Sequence, residues 1–97
     1  MITKWIEFTV EENDVNAFSL AMTKLELESS QEQGCAHYSV YQSKDEAALF
    51  TVLESWETSE AFEAHRVAPH IAEFKTQCAK MILNKRALEL NAIRKEN

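Results

Sequence analysis

The side chains best able to do chemistry crowd into one stretch, Val52–His70, VLESWETSEAFEAHRVAPH. Glu54 and Trp56 alternate with Leu53 and Ser55, so a carboxylate and an indole share one face of a strand. Phe62, His65 and Arg66 follow in a short helical stretch, and Pro69-His70 opens a second one. An imidazole exchanges protons near neutral pH, which suits a general base working on a phenol or an α-hydroxy carbonyl. His65 is therefore the candidate catalytic base. Glu54 is a second catalytic candidate that can orient the histidine or accept a phenolic proton. Trp56 can stack on a flat aromatic substrate. It serves equally as a core residue, and Glu54 equally as half of an ion pair at a sheet edge.

His70 begins a helix, where a neutral ring is favoured, so it stays as a second candidate. As a metal pair, His65 and His70 fit poorly. Five residues with a proline between them lack the i, i+4 spacing of a helical pair, and no Asp or Glu motif completes a set. No metal site is expected. Tyr38 is a hydrogen-bond donor upstream of this stretch. Arg66, Lys85 and Arg86 can meet a phosphorylated substrate, but scattered basic residues also suit solvated surface. No Gly-rich phosphate loop and no Gly-x-Ser-x-Gly elbow occurs.

The elements that must position these groups follow from periodicity. Ile2, Ile6, Phe8 and Val10 alternate on one face of a first strand, with Lys4 interrupting and Trp5 turned the other way. Asn13 or Asp14 can cap a helix whose stripe is Val15, Phe18, Met22 and Leu25, running to about Gln31 and stopping near Gly34, the single glycine. From Cys35 the period returns to two. Tyr38, Val40 and Gln42 share a face opposite His37, Ser39 and Tyr41. A third strand, Leu49–Trp56, is apolar on both faces, which demands cover on both sides of the sheet. Helices supply one cover, and a second copy of the chain is the economical source of the other.

Thr58 or Ser59 caps the next helix. After Pro69, residues Ile71, Phe74, Cys78, Met81 and Ile82 give a further helix its apolar face. The tail from Lys85 to Ile93 reads either as helix or as an alternating strand. Taken as a strand, it completes the β-α-β-β-α-(α)-β order of a ferredoxin-like α+β sandwich with an antiparallel sheet.

With 97 residues there is room for one domain, 1–97, and a net charge of −6 lacks the basic footprint that nucleic acid or an anionic membrane needs. No apolar run approaches the roughly 20 residues of a membrane span. The first ten residues carry no signal-peptide pattern. Cys35 and Cys78 lack metal or redox spacing and read as buried reduced thiols, which fits a cytoplasmic setting.

Three segments carry a family resemblance: Glu32-Gln33-Gly34-Cys35 with Tyr38, then Glu54-Ser55-Trp56, then Phe62 and His65 followed by Pro69-His70. Together they resemble the antibiotic biosynthesis monooxygenase family, in particular its small quinol monooxygenase-like members, over nearly the whole chain. The resemblance implies a dimeric α+β barrel of ferredoxin-like subunits whose sheets face each other, and it favours a strand for the tail. It implies a monooxygenase that needs no cofactor and oxidises a quinol-like or phenolic small molecule with O2. His65 and Glu54 would be catalytic, and Trp56, Tyr38, His70 and Phe62 would contact substrate. The family also holds an isomerase of a phosphorylated dione in autoinducer-2 breakdown, with a similar His-x-x-x-Pro-His stretch. An isomerase of a small phosphorylated hydroxy-ketone is thus an alternative, and a non-catalytic dimeric binding module is a third. Haem-degrading relatives carry an asparagine in the first strand. Ile2–Val10 has none, which argues against haem degradation.

Overall fold

The computed structural model describes residues 1–94. Strand β1 (Ile2–Val10) leads through a 3-10 turn (Glu12–Asp14) into helix α1 (Val15–Ser29). Strands β2 (Cys35–Gln42) and β3 (Leu49–Trp56) follow, then helices α2 (Ser59–Arg66) and α3 (Pro69–Cys78), and strand β4 (Ile82–Leu90). The strands form one antiparallel sheet in the order β2-β3-β1-β4. This is the ferredoxin-like α+β architecture that the alternating and helical periodicities predict.

The helices pack on one face of the sheet. Phe8 and Val10 of β1, with Phe50, Val52, Glu54 and Trp56 of β3, are buried beneath them. Phe8, Phe18, Phe50 and Phe74 form the aromatic centre, with ring centroids 5.0 to 6.0 Å apart. Aromatic rings at these offsets add to the area they bury.

The helix boundaries follow local chemistry. Asp14 precedes α1 as its N-cap residue but makes no side-chain capping bond. Thr58 caps α2, its hydroxyl accepting from the Ala61 amide at 3.1 Å. Ala68 is extended (φ −65°, ψ 146°) and Pro69 takes the first turn of α3, as the steric bias before proline requires. Gly34 has φ +84°, and a Cβ there would stand 2.5 Å from the Ala61 Cβ. The turn thus needs glycine both for its backbone and for its contact with α2.

Two boundaries differ from expectation. Helix α1 ends at Ser29, and residues 30–34 form a turn. Helix α3 ends at Cys78, so Met81 and Ile82 lie beyond it. Ile82 pairs with Val10 where the β1–β4 register shifts, and β4 starts three residues earlier than the tail strand predicted from Lys85. The spacing Cys78, Met81, Ile82 imitates a helical stripe, a known ambiguity of short apolar runs. Among the described residues no helix lies over the opposite sheet face. Trp5, Leu53, Leu88 and Leu90 lie there, half-buried or exposed. Cys78 is buried as expected, whereas Cys35 is only partly so, and both thiols are free.

Candidate active site

Helix α2 is short, and its cap sets where its last turn falls. That turn delivers His65 against the sheet, where only 5% of the residue is exposed. The imidazole lies 4.4 Å from the Trp56 ring at an interplanar angle of 31° and 5.7 Å from Tyr38. Trp56 is wholly buried behind it.

Two carboxylates flank the histidine. Glu32, from the turn after α1, brings Oε2 to 2.6 Å from His65 Nδ1 and 3.0 Å from His70 Nε2. The Ser29 hydroxyl is 3.2 Å from the same His70 nitrogen. An ionised carboxylate only accepts, so both ring nitrogens facing Glu32 are assigned the protons. This assignment leaves His65 Nε2 with its lone pair on the side of Glu54, whose Oε1 is 3.7 Å away.

Glu54 is 2% exposed, and its Oε1 accepts from Trp56 Nε1 at 2.8 Å. Burial holds its proton more tightly than usual, opposed by the Trp56 hydrogen bond and by His65 and Lys4. Burial, and secondarily the charge of Glu54, push the Tyr38 phenol well above its ordinary value, so it remains a neutral donor.

Glu54, His65, Tyr38 and Phe62 line a cavity of about 470 Å³ between the sheet and the helices. Ile6, Val52, Ile71 and Phe74 contribute apolar wall, and Lys4, Arg66, Lys75 and Lys85 also border it. Lys4, which interrupts the apolar face of β1, belongs to this lining and also pairs with Glu89 at 3.4 Å. Two candidates fall elsewhere. Trp56 lies outside the lining, so its face is not offered to a substrate; it backs the histidine instead. His70 also lies outside and turns to Glu32 and Ser29. Arg86 pairs in register with Glu7 on the uncovered sheet face, away from the cavity.

Glu32 is the residue that sequence reasoning missed. It sits two positions before the single glycine in a segment already carrying the family resemblance, yet nothing in its spacing links it to histidines 33 and 38 residues later. It also supplies the acid thought absent from a metal set. Glu32, His65 and His70 offer one ligand atom each, all within 4.8 Å of one another. Ligands about 2.0–2.1 Å from a tetrahedral zinc stand about 3.3 Å apart. The separations of 2.6 and 3.0 Å are those of hydrogen bonds, which already satisfy the carboxylate.

The model of the family described as antibiotic biosynthesis monooxygenase matches residues 1–77. No curated protein matches. Among solved structures, a Nitrosomonas europaea protein named for these monooxygenases superposes with a TM-score of 0.91 at 19% identity, covering 97% of this chain and all of that one. A Pseudomonas aeruginosa protein gives 0.91 at 22% identity, over 96% and 94% of the two chains. A Mycobacterium tuberculosis protein gives 0.88 at 18%, over 99% and 98%. At these identities the likeness is one of fold. The match over residues 1–77, on the fold just described, places this chain in the antibiotic biosynthesis monooxygenase family.

Proposed function

We propose that the chain is a cofactor-independent monooxygenase oxidising a quinol-like or phenolic small molecule with O2. The observation that carries this reading is His65, held through Nδ1 by Glu32 at 2.6 Å while it borders a largely apolar cavity. A phenol entering the cavity gives its proton to His65 Nε2, and the Tyr38 hydroxyl steadies the oxygen left negative, with Glu54 beside the imidazole. The electron-rich anion reduces O2 directly, and the resulting ring hydroperoxide loses water. For a hydroquinone the balance is quinol plus O2 giving hydroxyquinone plus water. One oxygen atom enters the ring, the other leaves as water, and the quinol supplies all four electrons. The protein's part is to place the base and keep bulk water away. A second copy against the uncovered sheet face completes the reading as a homodimer.

The Glu54–His65 pair favours one other chemistry. A base and a carboxyl group whose burial raises its hold on a proton, beside one substrate, also suit an enediol isomerase acting on a small phosphorylated hydroxy-ketone. Oxygen uptake with menadiol separates the two. We expect uptake above the uncatalysed rate, unchanged by EDTA and lower by about 10²–10⁴-fold in His65→Ala. Uptake no faster than the uncatalysed reaction, or equal in the variant, overturns the proposal. Anaerobic conversion of a phosphorylated dione would establish the isomerase. If both fail while small molecules still bind, the binding module stands.

A further inference from the structure

We infer that the cavity is built for a substrate carrying a permanent acid group, a carboxylate or phosphate ester, on a flat apolar body. The inference rests on reading this cavity as the reaction site. The chain holds 16 acidic against 10 basic residues. Around the cavity that balance inverts: Lys4, Arg66, Lys75 and Lys85 border it, and among the described residues Glu54 is the single acid. These cations come from β1, α2, α3 and β4, so the tertiary fold gathers them and no one sequence segment does.

Two of them lie over the cavity's own aromatic wall. Lys4 Nζ is 5.1 Å from the Phe62 centroid, and Lys85 Nζ is 5.8 Å from that of Phe8. Such cation–π placement holds an ammonium at the wall. Arg66 is paired with Glu63 at 2.8 Å and Lys4 with Glu89 at 3.4 Å. Lys75 and Lys85 have no acidic partner at ion-pair distance among the described residues. Cations gathered beside low-dielectric walls focus field into the cavity and raise the local concentration of anions. A neutral quinol draws on that field only after losing its proton, whereas a permanent acid draws on it from entry. A carboxylate or phosphate placed at Lys75 and Lys85 uses it, while the ring lies along Phe62 and Phe74.

Equilibrium titration of the intact protein at low ionic strength tests this without turnover. The probes are 1-hydroxy-2-naphthoate against its methyl ester, and 1-naphthyl phosphate against 1-naphthol. We expect at least one acid to bind about tenfold tighter than its neutral counterpart, with the preference shrinking as salt is added. The pair showing the larger preference tells carboxylate from phosphate. In a folded Lys75→Gln/Lys85→Gln variant the ratio should fall towards one, and in Lys44→Gln, outside the cavity, it should stay. Equal binding of acid and neutral forms overturns the inference. So does a preference that survives the double variant, or that falls equally in Lys44→Gln. Menadiol uptake without any acid preference sinks this inference alone, and acid preference without uptake sinks only the oxygenase reading.

Discussion

Glu54 is a buried carboxyl group at the wall of the cavity. It is buried to 2% exposure with one hydrogen-bond donor, so an ionised form is poorly solvated. Its folded-state proton affinity is raised above the ordinary value of 4.5, chiefly by burial. The sign follows. Folding is favoured with the proton on, at pH below the unfolded value, and that advantage is lost as pH rises through the raised folded value. Glu54→Gln keeps an acceptor for Trp56 Nε1 and removes the titration. The thermal midpoint of the variant, relative to wild type, should rise as pH is raised above the ordinary carboxylate value of 4.5 and level off once the raised folded value is passed. A difference that stays flat across this range would show that burial does not hold the proton.

The turn from α1 into β2 and the cap of α2 determine whether the base is armed. Gly34 combines φ +84° with the 2.5 Å approach that a Cβ would make to Ala61 Cβ, in the first turn of α2. Gly34→Ala should cost roughly 1–3 kcal/mol from backbone strain and the displaced contact. Because the turn also carries Glu32, menadiol uptake in the folded variant should fall as well. Chemical denaturation and uptake measured together check this, and unchanged stability would refute it. At this scale much was legible. Period two exposed three strands, Thr58 announced its helix, and Ala68-Pro69 marked the break between α2 and α3. The end of α3 was not, because Met81 and Ile82 extend the helical spacing by chance while their partners lie on or just after β1. Glu54 and His65 were visible as chemistry, but which wall each faces depends on packing. Trp56 shares its strand face with Glu54 and yet lies outside the cavity, because His65 lies against its ring. Glu32 reaches His65 only through tertiary contact, and periodicity carries no trace of that.

On the scale of the whole molecule, the sheet has one covered face and one bare one. Register aligns Leu53 of β3, Trp5 of β1 and Leu88 of β4 in one row across it. Apolar rows on a bare sheet face mark a contact surface. Sedimentation equilibrium should return the mass of a homodimer, and Leu53→Glu should shift it towards monomer with helical content unchanged. A wild-type chain that stays monomeric at micromolar concentration would rule this assembly out. Among the described residues no helix is long and apolar enough to cross a membrane.

One carboxylate oxygen, Oε2 of Glu32, touches histidines on two different helices. It works as a latch as well as an orienting group. Any displacement of α3 from α2 about the extended Ala68 would pull His70 off that oxygen and loosen the same grip on His65, besides parting Phe74 from Phe8 and Phe18. Widening the chamber and disarming the base are therefore one mechanical event. A guest small enough to enter without moving α3 meets an aligned base, and one that forces α3 outward meets a slack one.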